Sequence, residues 1–391
     1  MAEQDEFAEA LFGQLAVELA EEKEIADLGE RAAEALEGPP FRPLEEAAAE
    51  AAARYRGEAA GFLGLDVPES RLEFPDLAGF KELKGRKVFA APGSAGFVTE
   101  LFAAVSACDQ DAVAALAVRD PARYMVYSTY AIQYLSKLST TYGDYMDGAI
   151  YLNGFVLSRY PAIILHKRGG AGRAEVEAGY AGAVKMAVLE ETVHSAQGPL
   201  QEANAAAASE VNRINEEIAA SVLGLDDGAV RRLSSHCRLQ EVPDEFPLAR
   251  RANLFFFLNP DHFLTGQIGP DVMTHTHVEV DGAISSEMPG LQAAYMEWLP
   301  HIQAHHAAFT VMEGMAGLAV GRVLGDDPDY MAYGAAFAGG DQSSYGVRKG
   351  IGAGFAGRVY DELGSGAFRR MLEDPPTTRQ LGDPAGYAAR S

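Results

Sequence analysis

The sequence predicts a mainly α-helical, α+β fold with a helical appendage at its N-terminus. The chain has 391 residues, of which 48% are hydrophobic, so it can bury a sizeable core. Several long segments repeat apolar residues at helical spacing, as Phe7, Leu11, Leu15 and Leu19 do at every fourth position. Short continuous apolar runs are few. Helices should therefore dominate, with a small strand content.

The segments follow in chain order. Residues 2–60 are rich in Ala and Glu at helical spacing, and Gly38-Pro39-Pro40 interrupts this pattern. A second predicted helix follows at about 45–63. The sequence then predicts helices at 95–118, 121–138, 176–197, 200–223 and 345–363, a helix pair at 290–324, a loop-rich middle from about 224 to 289, and strands at 149–152 and 162–166. We accordingly predict an appendage over residues 1–85 and one larger domain over 86–391.

The charge of the chain excludes two classes of partner. Its formal net charge is −24, which argues against binding to nucleic acid or to an anionic membrane, because both require a basic face. Only 8 of its 32 basic residues are Lys, in a chain rich in Asp and Glu. This composition is typical of halophilic proteins, whose self-repulsion is screened by salt. An ordinary acidic protein from a GC-rich genome has the same composition, and both readings stay open.

The chain carries no sign of export. Its two cysteines, Cys108 and Cys237, cannot form a disulfide framework, and we expect free thiols in a reducing compartment. The N-terminus is acidic where a signal peptide is basic, and no run of about 18 uncharged apolar residues occurs. We therefore predict a cytoplasmic protein.

The segment Val188–Gln197 carries the strongest chemical signal. On a helix, Glu190 and His194 stand at positions i and i+4 and share a face, as a pair of metal ligands would. Glu191 lies about 100° around the helix, where a general base can reach a metal-bound water. The surrounding residues are apolar, and a buried carboxylate pair requires a cation or a proton. The alternative is a solvated Glu pair beside a structural histidine.

A second acid stands in an apolar helix further along the chain. Glu313 lies in Phe309–Leu318, among small and apolar residues. A carboxylate there is costly unless it is paired or ligates a cation. A helix–helix salt bridge is the structural alternative to ligation.

These two segments resemble a family. Val188–Gln197 resembles the H-E-x-x-H-A-x-Q segment of gluzincin-type zinc metallopeptidase-like proteins, and Ala308–Ala316 resembles their A-x-x-E-G-x-A helix. The tail from Tyr345 to Tyr387 is similar to theirs, including Asp374-Pro375-Pro376-Thr377-Thr378-Arg379-Gln380-Leu381. The resemblance covers about residues 180–390. It implies a zincin-like metallopeptidase domain with a zinc ion as cofactor.

The resemblance also assigns residues. His194 and Glu313 would be metal ligands and Glu191 the general base, while Glu190 occupies the place of the family's first His. A carboxylate can bind zinc, but it adds a negative charge and weakens the metal as a Lewis acid. The bound water would then be less acidic than in the family's site.

Other residues are weaker candidates for the site. Glu217 lies in Asn215-Glu216-Glu217-Ile218-Ala219, which resembles the segment where other gluzincins place a ligand, and His306 shares a helix face with Glu313. Tyr345 is a candidate donor to a developing oxyanion. His275 and His277 alternate on a predicted strand.

Three functions remain at this stage. The first is a metal-dependent, peptidase-like hydrolase that uses a metal-activated water, with Glu191 as general base, on a peptide or protein. The second is a degenerate protein of the same fold with a binding or structural role. The third is a ferritin-like carboxylate oxidase, because Glu191 and His194 also form E-x-x-H, although that architecture needs a second such motif. The sequence specifies no oligomeric state.

Overall fold

The structure is a computed structural model that describes residues 23–24, 26–27, 41–135, 141–168, 171–268, 273–336 and 344–390. Side chains are described throughout these ranges except at 132–134, 166–168, 265–268 and 344–345. The predictions for residues 2–22 and for the Gly38-Pro39-Pro40 break lie outside the described residues.

The described residues are mainly helical, as the sequence predicts. The first half contains α1 (Leu44–Leu63), β1 (Arg71–Glu73), α2 (Leu77–Arg86), α3 (Ala95–Ser106), α4 (Gln110–Arg119), α5 (Pro121–Leu135), β2 (Gly143–Met146), β3 (Ala149–Leu152), α6 (Gly154–Leu157), α7 (Tyr160–Arg168) and α8 (Arg173–Ser195). The second half contains α9 (Gly198–Leu223), α10 (Asp227–His236), α11 (Pro247–Leu258), α12 (Pro260–Ile268), α13 (Gly282–Glu287), α14 (Leu291–Val323), α15 (Pro328–Ala336), α16 (Ser344–Leu363), α17 (Gly366–Glu373), α18 (Thr378–Leu381) and α19 (Pro384–Ala388).

A small mixed sheet accompanies the helices. Its strand order is β1-β3-β2, with β1 parallel and β2 antiparallel to β3. Asp147 and Gly148 connect β2 to β3 and both have positive φ, 52° and 75°, which is the backbone of a type I′ hairpin turn. An Asp-Gly pair is a strong hairpin signal, so the sequence contained the information for β2 although only β3 was predicted.

Four local predictions were wrong. Residues 162–166 belong to helix α7 rather than a strand, because a short apolar run is equally compatible with a buried helical segment. His275 and His277 lie in irregular backbone, so the strand that was to align their rings does not form. The middle of the chain is helical, including α11 and α12. The predicted helix pair at 290–324 is instead the single helix α14 (Leu291–Val323), which contains Pro300.

The chain divides into two compact units. One comprises the described residues of 81–136 and 203–306, and the other those of 19–80, 137–202 and 307–391. In the second unit, α1 and α15 pack against α8, and the sheet lies against the same helix. Residues 44–80 therefore share a unit with the candidate metal-binding helix, which differs from the predicted boundary at residue 85.

The core of the second unit surrounds α8. Apolar side chains of this helix, including Val184, Val188, Leu189 and Val193, are almost completely buried. The helix is apolar on most of its circumference, as expected for a helix enclosed by other elements. Polar residues in its last two turns are thus held in an apolar setting. Among the described helices, none combines the length and hydropathy needed to cross a bilayer.

Candidate metal centre

Three potential metal ligands converge in the second unit. Helix α8 presents Glu190 and His194 from successive turns, and α14 contributes Glu313. One donor atom from each of the three lies within 4.8 Å of the other two. His194 Nε2 and Glu313 Oε1 are 3.9 Å apart. The side chains named by their spacing and surroundings are therefore neighbours in space.

The donor set is compatible with a divalent cation. Carboxylate oxygen and imidazole nitrogen both bind zinc at about 2.0–2.2 Å, which places tetrahedral ligands about 3.4 Å apart. The three donors lie within 4.8 Å of one another, and the His194–Glu313 pair is 3.9 Å apart, so the side chains would move closer together to bind an ion at these distances. His194 and Glu313 are each less than a tenth exposed. Burial of this kind limits competition from bulk water.

Gln197 fixes the imidazole of His194. Gln197 Nε2 donates to the carbonyl of Met312 at 3.0 Å, which orients the amide. Gln197 Oε1 can then only accept, so His194 Nδ1 donates to it at 2.7 Å. When the ring is neutral, this bond leaves the lone pair on Nε2, the nitrogen that faces Glu313, available to a metal ion. Outer contacts of this type orient metal-ligating histidines.

A close helix crossing brings a lysine to the same place. A Cβ on Gly314 would lie 2.1 Å from the carbonyl carbon of Gly352, so α14 and α16 touch through their backbones just after Glu313. Lys349, one turn before Gly352, donates a hydrogen bond to Glu190 Oε1. Its stem passes Gly317, where a Cβ would lie 3.3 Å from Lys349 Cε. Glycines at the crossing thus position this ammonium group.

Glu191 lies between α8 and the sheet. It is buried, and a Cβ on Gly143 of β2 would lie 3.0 Å from its Cγ and 3.3 Å from its Oε1. The absence of a side chain at Gly143 therefore leaves room for this carboxylate. Glu191 also acts electrostatically on both His194 and Lys349, so it belongs to the same cluster of charges.

The charges in this cluster perturb one another. Burial alone would lower the pKa of His194, but Glu313, Glu191 and Glu190 outweigh it and raise that pKa. Burial would raise the pKa of Glu190, and the opposing charges of Lys349 and His194 bring it below the usual value. The same carboxylates raise the pKa of Lys349 despite its burial. The carboxylates thus favour cations in their midst.

The weaker candidates are placed differently. Glu217 forms an ion pair with Arg213 at 2.6 Å on α9 and is more than half exposed. The ring of His306 lies 5.4 Å from that of His305. Neither residue belongs to the converging group. Tyr345 lies in the first turn of α16, but its side chain lies outside the described residues. Within the described ranges, no second group of three metal-binding side chains accompanies the first.

Two residues of the cluster were not predicted from the sequence. Gln197 stands in the segment that resembles the metallopeptidase motif, so its position offered a signal. Lys349 offered none, because nothing in Ser344–Leu363 links it to a residue 159 positions earlier. Its role becomes visible only from the helix crossing.

Comparisons with protein-family models, curated proteins and solved structures found no match to this chain.

Proposed function

We propose that the protein is a metal-dependent hydrolase that binds one divalent cation, zinc by preference, through Glu190, His194 and Glu313. The observation that carries the proposal is the convergence of these three donors, two of which, His194 and Glu313, are buried, with the imidazole held by Gln197 so that its Nε2 faces Glu313. Two carboxylates and an imidazole suit zinc.

Each side chain of the centre has a separate task. The bound cation would polarise a carbonyl and acidify a water molecule. Glu191, adjacent to the ligands but outside the donor group, would accept the proton of that water and pass it to the leaving amine. Gln197 holds the ring of His194 in the tautomer that can ligate. The apolar surroundings of α8 strengthen these interactions by excluding water.

A peptide or protein is the proposed substrate. Strand β2 pairs with β3 on one side, and no further strand pairs with it among the residues described. Such an edge can accept an extended peptide through main-chain hydrogen bonds. A Cβ on Gly143 of β2 would lie 3.0 Å from Cγ of Glu191, so a peptide aligned along this strand would lie near the proposed base.

A metal-free binding or scaffold role is the second candidate. One contact favours this role. The ammonium of Lys349 is paired with Glu190, so the acidic cluster already contains a positive charge without a metal ion. A ferritin-like oxidase has less support, since it requires two metals and one donor group is found in the part of the chain described.

The decisive experiment combines metal analysis with a hydrolysis assay. The purified chain is dialysed against zinc, and its metal content is measured by mass spectrometry. Hydrolysis is then followed with a mixture of internally quenched peptides at low and at molar KCl, because the acidic composition suggests salt-dependent folding.

We expect one zinc per chain and cleavage of peptides. Glu191→Gln should abolish cleavage and retain zinc, whereas Glu177→Gln, at an exposed position of the same helix, should retain both. Two irons per chain would support the oxidase instead. A wild-type chain that binds no zinc at micromolar concentrations would refute the proposal and leave the metal-free role.

A further inference from the structure

Lys349 is an unusual neighbour for a metal ligand. Its ammonium donates a hydrogen bond to Glu190 and also interacts electrostatically with Glu313 and Glu191. The chain contains only 8 lysines, and the stem of this one lies against Gly317 beside the Gly314–Gly352 crossing. The two helices are in backbone contact at this point, and the ammonium of Lys349 donates a hydrogen bond to Glu190.

The count of charges suggests why a cation is placed there. The three carboxylates and the ammonium of the cluster sum to two negative charges when His194 is neutral. A divalent cation balances this sum completely. Without Lys349 the cluster would keep one negative charge after binding the cation. A histidine in place of Glu190 would give the same neutral result without any lysine, because imidazole is an uncharged ligand.

We infer that Glu190 and Lys349 act together as one electrically neutral ligand, and that Lys349 is a positioning residue that preserves the positive charge of the bound metal. This inference rests on the proposed metal-binding function. A carboxylate has two oxygens, so Glu190 can accept the lysine on Oε1 and offer its other oxygen to a cation. Lys349 thereby withdraws electron density from the ligand and offsets the charge that weakens a Lewis acid.

The inference predicts opposite effects from two single substitutions. Lys349→Met removes a positive charge beside the cation and should tighten zinc binding at least about tenfold. Glu190→His removes a negative charge and leaves Lys349 without its partner, so zinc binding should weaken by about tenfold or more. The double substitution restores the original sum of charges. Its zinc affinity should return to within about threefold of the wild type.

Zinc affinities are measured by competition with a chromophoric chelator, and circular dichroism confirms that each variant is folded. If Lys349→Met does not fold, Lys349→Arg serves as a second variant, because it retains the positive charge. Lys185→Met is the matched control: this lysine also lies in the second unit and is paired to carboxylates, Asp327 at 2.7 Å and Asp329 at 2.8 Å, but to none of the proposed ligands. It should leave zinc affinity unchanged.

Each outcome has a definite meaning. Opposite shifts that cancel in the double variant support the inference. Wild-type zinc binding that Lys349→Met leaves unchanged or weakens would overturn the inference and leave the metal-binding proposal standing. Zinc binding that is absent in the wild type and gained in Lys349→Met would overturn both, since Lys349 would then replace the metal. No zinc binding by any variant would also overturn both.

Discussion

Gly314→Ala tests the helix crossing that assembles the centre. The new Cβ would lie 2.1 Å from the carbonyl carbon of Gly352 and 2.4 Å from its Cα, both backbone atoms that no rotamer change can move. Carbon atoms make favourable contact at about 3.5–4.0 Å, so α14 and α16 would have to separate by on the order of 1 Å. Their separation would draw Lys349 away from Glu190 and shift Glu313.

The magnitude follows from two opposing terms. Overpacking of a tight contact destabilises by about 1–3 kcal/mol, and a rigid backbone contact lies at or above the upper end of this range. Replacement of Gly by Ala within a helix contributes about 1 kcal/mol in the other direction. We therefore expect a net loss of stability of about 2 kcal/mol or more, and weaker zinc binding.

Gly321→Ala is the matched control for this prediction. Gly321 lies in the same helix, is exposed, and has nothing within 4 Å of an added Cβ. It should stabilise the protein by up to about 1 kcal/mol through helix propensity alone. Urea unfolding followed by circular dichroism measures both variants. Equal stabilisation by the two substitutions would show that α14 and α16 do not cross in backbone contact.

Three further predictions concern single side chains. Gln197→Leu removes the group that accepts a hydrogen bond from His194 Nδ1, so zinc binding should weaken by about 10–100-fold in chelator competition. Unchanged zinc affinity would exclude a role of Gln197 in orienting the ring. Gly143→Ala places a methyl group against Glu191 and should reduce the rate of hydrolysis while zinc affinity stays within about threefold; equal rates would place Glu191 away from the reaction. Asp327→Asn should destabilise the protein by about 1–3 kcal/mol at neutral pH in thermal unfolding. Burial opposes the charged form of Asp327, but Lys185 and the amides of Tyr330 and Asp329 lower its pKa below 3.8, so its stabilisation is complete above that value and is lost as pH falls through the lower folded-state pKa. The variant should lack this acid-induced loss, and identical pH profiles would contradict the assignment.

The sequence was informative wherever the signal is local. Helix α8 was predicted at 176–197 and observed at Arg173–Ser195, because its helical pattern extends over many residues. The spacing of Glu190 and His194 on one face follows from helix geometry alone. Short segments were ambiguous: the apolar run at 162–166 is as compatible with a strand as with helix α7, and only packing decides between them.

By itself, the sequence determined that this is an acidic, mainly helical chain with one helix bearing a carboxylate and an imidazole on a common face, since composition and i, i+4 spacing are properties of neighbours along the backbone. Only the tertiary structure decided which distant groups join them. Glu313 was predicted from the resemblance to a metallopeptidase segment. The hydrogen bond from Lys349 to Glu190, in contrast, depends on backbone contact between Gly314 and Gly352. Such a contact has no local sequence pattern, because it arises from the packing of two helices rather than from either one.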